Sequence, residues 1–294
     1  MINCENRVFH KGEWHDVLSG TLDLSKNSIQ KIKEVEGLSK LIRLKSLNLS
    51  FNNIRRIPNL GFLKDLEVLK LQNNQISNIE GLNEVSSLTL LDLSNNKISR
   101  IEGLGNLVNL RTLILSNNQI REIRPSELPR NLNVLLLDHN KISKIQGLDH
   151  LSWLRQLDLS FNKISWLMNL QYLVRLSVLS IHNNLLPPII ESILEQFKEW
   201  GGFSRKVVNF CRNPSIQERI IFQEFLDQCH NRDEKMLDEI DIWKVFAGCH
   251  YIIGNFQGSI ESFENALKIN PNDEMVRFYI EYIKKEQNLA KHRK

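Results

Sequence analysis

Two Cys-His pairs combine the side chains that zinc prefers in proteins. Cys229-His230 and Cys249-His250 each place a thiol beside an imidazole. Both pairs, however, fall in segments with helical spacing of apolar residues, where Cys and His match packing positions. Cys4 and Cys211 lie far from each other, and the sequence has no C-x-x-C spacing. We therefore expect reduced, mostly buried thiols and no metal site.

The sequence also lacks the motifs of known catalytic centres. It has no phosphate-binding glycine loop, no G-x-S-x-G, no H-E-x-x-H and no carboxylate-rich metal loop. A net charge of +4 is too small to indicate nucleic-acid binding. No apolar run approaches the ~18 residues of a membrane span, and no secretory signal opens the chain. We expect a monomer that is not an enzyme, needs no cofactor and stays in the cytoplasm, with nucleus, cilium or centrosome as alternatives.

Eight asparagines recur at a regular interval, first after 25 residues and then six times after 22 residues. Each closes the phrase L-x-x-L-x-L-x-x-N-x-I-x-x-I, of which residues 66–79 are a clear copy. An amide both donates and accepts hydrogen bonds, so it can pair turn backbone that would otherwise be buried without a partner. We interpret the set as a structural ladder: Asn27, Asn52, Asn74, Asn96, Asn118, Asn140, Asn162 and Asn184.

The leucines of the phrase predict short strands stacked into a solenoid. Leu69 and Leu71 are two residues apart and share one face of a strand, whereas Lys70 points to the other. One 22-residue coil cannot bury its leucines alone, but stacked coils form a parallel sheet over a continuous core. The sequence therefore predicts an N-terminal cap at residues 1–19 and a solenoid of eight repeats and a degenerate ninth at residues 20–213.

This phrase is a leucine-rich repeat. It resembles the 22-residue subfamily represented by the regulatory subunit of protein phosphatase 1, the axonemal dynein light chain of this class, the spliceosomal A-prime protein and tubulin-folding cofactor E. The resemblance covers residues 21–189 and implies a curved α/β solenoid whose parallel sheet forms a concave face for protein partners.

Beyond residue 213 the apolar residues recur at helical spacing, which predicts an all-α module over residues 214–294. Residues 240–273 resemble a tetratricopeptide repeat, in which two antiparallel helices pack through small side chains and a proline ends the second. Amphipathic segments at residues 215–229 and 274–288 flank it. The matching positions are Trp243, Phe246, Ala247, His250, Gly254, Ser259, Phe263, Ala266 and Pro271.

Residues between and just after the strand leucines should line the concave face. Aliphatic residues cluster in its middle and aspartates surround them, as suits a protein partner. The alternative is that β-propensity alone selected the aliphatic residues. The candidate partner-binding residues are Phe51, Val68, Lys70, Leu90, Asp92, Ile114, Val134, Leu136, Asp138, Asp158 and Phe161.

Basic residues of the solenoid concentrate on the turns beyond the strands. They most often form a solvated flank, and an anionic partner is the alternative. They are Lys31, Lys33, Arg55, Arg56, Arg100, Arg121, Arg124 and Lys144.

Together these features predict a non-enzymatic adaptor with one contact on the concave face and a second on the helical module. The resemblance implies two specific hypotheses. One is regulation of protein phosphatase 1, and the other is a ciliary, centrosomal or microtubule-associated scaffold.

Overall fold

The computed structural model describes residues 7–165, 167, 169–186, 190, 194, 207, 240–252 and 255–291. The chain divides into two compact units, Met1–Val208 and Asn209–Lys294. The predicted parallel-sheet solenoid followed by a small helical region is confirmed. The domain boundaries after residues 19 and 213 stay predictions. Most of the degenerate ninth repeat and the amphipathic segment at 215–229 lie outside the described residues.

The first unit begins with a β-hairpin that sequence inspection did not reveal. Strands β1 (Arg7–His10) and β2 (Glu13–Asp16) pair antiparallel. Lys11 and Gly12 join them with φ values of 48° and 88°, as in a two-residue type I′ turn. Phe9 exchanges two backbone hydrogen bonds of 2.9 and 3.0 Å with Glu36. The hairpin thus lies against the first coil, within the segment predicted as a cap.

In the described part of the chain, eight three-residue strands form one parallel sheet in chain order. The central residue of every strand is a buried leucine, paired in register with the leucine of the next strand. The repeat spacing therefore fixes the register of the sheet. The strands are β3 (Thr21–Asp23), β4 (Ser46–Asn48), β5 (Val68–Lys70), β6 (Leu90–Asp92), β7 (Thr112–Ile114), β8 (Val134–Leu136), β9 (Gln156–Asp158) and β10 (Val178–Ser180).

On the side of each coil opposite the sheet, the backbone is irregular and aliphatic side chains point into the core. In the third coil Ile76, Ile79, Leu82 and Val85 are all buried. Full burial of one such side chain contributes about 1.5 to 3 kcal/mol, so every coil adds several contributions to one continuous core. Among the described residues, four short 3-10 helices interrupt the turns, at Ile32–Glu34, Leu38–Lys40, Pro125–Glu127 and Leu170–Tyr172.

The second unit contains three described helices: α1 (Ile240–Ile252), α2 (Phe256–Ile269) and α3 (Glu274–Lys291). The buried Ser259 hydroxyl on α2 donates to the Ala247 carbonyl on α1 at 2.6 Å, which a close approach of small residues permits. Phe263 of α2 stacks on Tyr279 of α3 with ring centroids 5.6 Å apart. The predicted helical region is confirmed, and its assignment as a tetratricopeptide repeat stays a prediction.

Candidate interaction surface on the sheet

The asparagines join each coil to the one before it. The Asn118 amide nitrogen donates to the carbonyls of Leu93 in the preceding coil and Leu115 in its own, at 3.0 and 3.1 Å. Its amide oxygen accepts from the Ile98 backbone N–H at 2.9 Å. The same pattern recurs at Asn52, Asn74, Asn96, Asn140, Asn162 and Asn184.

Asn27 differs because it belongs to the first coil. Its side-chain amide donates to the Ser25 carbonyl at 2.9 Å, within the same turn. Its backbone N–H is instead bound by the Asn52 side chain of the next coil, at 3.0 Å. The ladder therefore holds the strands, and with them every side chain on the solvent side of the sheet, at fixed spacing.

Four aliphatic side chains form an apolar patch, defined as Leu90, Ile114, Val134 and Leu136, on the solvent side of β6, β7 and β8. All four are partly exposed. Ile114 and Leu136 are direct cross-strand partners, and Thr112 separates Leu90 from Val134 in the neighbouring row. Buried leucines already fill the other face of these strands, so the fold does not need this patch for its core.

Carboxylates bracket the patch along the direction of the sheet. The row through its centre reads Asp92, Ile114, Leu136, Asp158 on four adjacent strands. At the usual strand spacing the two aspartates are about 14 Å apart. The Ser94 and Ser160 hydroxyls donate to these aspartates at 2.7 and 2.6 Å. The carboxylates are therefore held in place before any partner arrives.

A third carboxylate borders the patch two residues beyond Leu136. Asp138 accepts from the Ser116 hydroxyl and lies 3.0 Å from Nδ1 of His139. On the opposite border, Arg111 and Arg155 directly precede β7 and β9 and are exposed. The patch thus separates an acidic border from a basic one.

The same row of the sheet carries another aspartate at its first strand. Burial opposes the charge of Asp23, but hydrogen bonds from the backbone and hydroxyl of Ser25 and from the amide of Asn48 outweigh it. With the nearby charge of Lys70, they lower the pKa of Asp23 below its ordinary value. This carboxylate lies three strands from Asp92 in the same row, beyond Asn48 and Lys70.

The remaining predicted partner-binding residues lie on the same face but outside the patch. Val68 is partly exposed and Lys70 is exposed on β5, where they pair with Leu90 and Asp92. Phe51 and Phe161 are 51% and 42% exposed, just after β4 and β9. Whether these residues contact a partner stays a prediction.

Bulky residues occupy a strained backbone position beside the ladder. The residue before each ladder asparagine has a φ between 53° and 59°, a left-handed region that asparagine tolerates better than other side chains. Asparagine fills it at positions 73, 95, 117 and 183, and Lys26, Phe51, His139 and Phe161 fill it in the other four coils. Such strain often persists at binding sites.

Two of these bulky residues form an aromatic cluster that sequence inspection missed. The His139 ring stacks on Phe161 with centroids 4.1 Å apart, and His182 meets the Phe161 ring edge-on at 5.3 Å. The coil spacing of 22 residues could have revealed the contact, because equivalent positions on adjacent coils lie side by side. The cluster continues the surface from Asp138 toward the last strand.

The candidate zinc pairs yield no metal site among the described residues. Cys249 is buried in α1, and Cys229-His230 lies outside the described residues. Where side chains are described, no group of three or more His, Cys, Asp or Glu is placed to hold a metal ion. No helix in the same portion of the chain is long and apolar enough to cross a bilayer.

Comparisons with known proteins identify the repeat. A family model described as "Leucine Rich repeats (2 copies)" matches residues 42–84 and 86–129, and one described as "Leucine rich repeat" matches residues 108–164. A search of the curated proteins finds no significant match.

Solved structures with the same fold include two internalins from Listeria monocytogenes. The chain is 26% identical to internalin inlF, with a TM-score of 0.53, over 61% of this chain and 52% of that one. It is 29% identical to internalin C2, with a TM-score of 0.51, over 57% of this chain and 73% of that one. The match thus spans about half the length of the first internalin.

The leucine-rich repeat fold is typical of protein–protein interaction domains, and its members are generally interaction modules rather than enzymes. The ladder, the sheet register and the family matches agree on the same repeat. The predicted repeat is confirmed, because leucine-rich repeat models match this chain between residues 42 and 164.

Proposed function

We propose that the chain is a non-enzymatic adaptor that binds a protein partner through the apolar patch on the sheet. The observation that supports this function is the presence of four partly exposed aliphatic side chains on three neighbouring strands, on a face that the core does not use. Covering them by a partner removes apolar surface from water, at roughly 25 cal/mol per Å². An aliphatic centre with a charged border is the usual anatomy of an interface.

The charged borders define the chemistry of the partner. Asp92 and Asp158, about 14 Å apart, favour a partner whose apolar contact residues lie between two basic side chains at similar separation. Arg111 and Arg155 on the other border favour acidic groups on the opposite side of the same segment. This arrangement fixes the orientation in which a partner can dock, because the reversed pose places like charges together.

The strained aromatic positions support the same surface. The left-handed region costs about 1 to 2 kcal/mol per residue, and asparagine at Phe51 and Phe161 would relieve part of this strain. An exposed aromatic residue offers a partner a large contact area at little conformational cost. The presence of Phe51 and Phe161 at these positions therefore supports a binding role for the turns after β4 and β9.

Two finer hypotheses about the partner remain proposals. One is the catalytic subunit of protein phosphatase 1, and the other is a ciliary, centrosomal or microtubule-associated protein. Both rest on the resemblance to the 22-residue subfamily. Two experiments distinguish them. Phosphatase regulation requires that purified phosphatase 1 binds the chain directly, and the scaffold role requires that the tagged chain localises to cilia, centrosomes or microtubules.

The test compares two double variants in affinity purification from cells. Ile114→Lys with Leu136→Asp places charges in the patch, whereas Val108→Lys with Val174→Asp places the same charges on exposed valines outside the strands, 55% and 59% exposed. We expect a partner captured by the wild type and by the valine variant but lost from the patch variant. A partner set that is the same for both variants refutes the proposal.

A further inference from the structure

A second surface feature lies on the turns that follow the first three strands, away from the apolar patch. An open cavity of about 960 Å³ is formed there by three successive coils. Its lining combines two buried isoleucines at the base with exposed polar and basic side chains. It consists of residues 30–33, 53, 55–59, 75, 80 and 81.

Four cations converge on this cavity. Lys31 and Lys33 come from the first coil, Arg55 and Arg56 come from the second, and all four are exposed. Among the described residues none of them forms an ion pair or a side-chain hydrogen bond. Glu80 is the single carboxylate in the lining. The cavity therefore holds an excess of positive charge that an anion would offset.

The backbone that carries these cations is fixed by packing. Ile32 and Ile57 are buried directly beside them. The Leu60 N–H donates to the Gly81 carbonyl at 2.9 Å, and a Cβ at Gly81 would clash with the Pro58 carbonyl oxygen. The coils are thus in close contact at the base, so a ligand would order the side chains without rearranging the turns.

Neutral donors add to the rim. The Asn53 and Gln75 side chains lie on adjacent coils, and the Gln75 amide donates to the Asn53 amide oxygen at 3.4 Å. Asn53 also lines the cavity, and an amide nitrogen can donate to an anion. The cavity is therefore surrounded by three kinds of hydrogen-bond donor: guanidinium, ammonium and amide groups.

We propose that this cavity binds a small polyphosphate anion. Guanidinium groups donate in a planar fork that matches phosphate oxygens, and lysines add point charges from a second direction. A carboxylate presents two oxygens in one plane, whereas linked phosphates present oxygens on all sides. Cations that converge from two coils onto about 960 Å³ therefore fit linked phosphates better than a single carboxylate. This site is independent of the adaptor function and of the apolar patch.

The test uses tripolyphosphate and the full chain in calorimetric titrations at about 0.1 M salt, where long-range attraction is screened. Arg55→Gln with Arg56→Gln removes two charges from the cavity. Arg100→Gln with Arg121→Gln removes two charges at equivalent positions of later coils, outside the lining. Circular dichroism melting of each variant without ligand checks that the fold is retained.

We expect the first variant to bind tripolyphosphate roughly tenfold or more weakly than the wild type, because charge-assisted hydrogen bonds are lost. The control variant should stay within about threefold of the wild type. Equal losses in both variants would show diffuse charge attraction and overturn the site. Citrate binding as tightly as tripolyphosphate would overturn the phosphate assignment, as would no binding at all.

Discussion

Replacing Asn118 by alanine tests how much the ladder contributes to the solenoid. Asn118 belongs to the fifth of eight coils and is 7% exposed. Its side chain pairs with one backbone N–H and two carbonyls from two adjacent coils, at Ile98, Leu93 and Leu115. Alanine can replace none of these hydrogen bonds.

The expected loss in the free energy of unfolding depends on which hydrogen-bond partners remain for the backbone groups that Asn118 contacts. The Ile98 N–H loses the hydrogen bond that Asn118 provides, and a buried donor left unpaired costs about 1 to 3 kcal/mol. The two carbonyls keep a second donor, because Asn96 also donates to Leu93 and Asn140 to Leu115. Each loses a net contribution of about 0.5 to 1.5 kcal/mol. The total is roughly 2 to 6 kcal/mol, a large part of the stability of an ordinary domain.

Urea unfolding followed by circular dichroism measures this loss, and amide hydrogen exchange at Ile98 locates it. Asn27→Ala is the matched control, because that side chain donates only within its own turn, to Ser25. We expect the control to lose about 1 kcal/mol or less. If both variants lose the same free energy, or if Ile98 exchange does not accelerate in Asn118→Ala, the inter-coil bonds are not what stabilises the stack.

The remaining predictions concern single residues. Burial raises the pKa of the Tyr279 phenol above its ordinary value of 10.0, so the phenol ionises first in the unfolded chain and the free energy of unfolding should fall as pH rises above 10. Urea unfolding at pH 8 and pH 11 should show this decrease, and the decrease should be smaller in Tyr279→Phe. Gly81→Ala should lower the free energy of unfolding by more than about 2 kcal/mol, because the new Cβ would clash with the Pro58 carbonyl. Gly12 also has a positive φ but has open space around it, so Gly12→Ala should lower it by about 1 kcal/mol in the same assay. Phe51→Asn should retain or raise stability by up to about 1 kcal/mol and weaken capture of the partner, measured by denaturation and by the same affinity purification.

The period of the sequence was sufficient to predict the sheet and its register. Leu69 and Leu91 occupy the same place in successive phrases, and the structure pairs them directly. This worked because each coil contacts mainly its neighbours, so local spacing determines long-range pairing. The solvent rows of the sheet follow from the same alternation, which is why the apolar patch could be located.

The hairpin and the strained aromatic positions could not be predicted in the same way. A type I′ turn is usually signalled by asparagine or aspartate before glycine, and here Lys11 takes that place. The left-handed conformation of Phe161 is imposed by the neighbouring coils and not by its own preference. The cavity depends on how the turns of three coils diverge, which the repeat pattern does not encode.

The direction of the ladder hydrogen bonds has a consequence for how such a chain can change in length. Each ladder side chain bonds only to its own coil and to the preceding one, as Asn140 does to Leu137 and Leu115. Excision of residues 97–118 would join Asn96 to Gln119 and give every surviving amide an equivalent set of acceptors. Tandem duplication of one coil would lengthen the stack and likewise give every ladder amide an equivalent set of acceptors. The surface offered to a partner can therefore grow or shrink by whole coils, while the joints between the others stay unaltered.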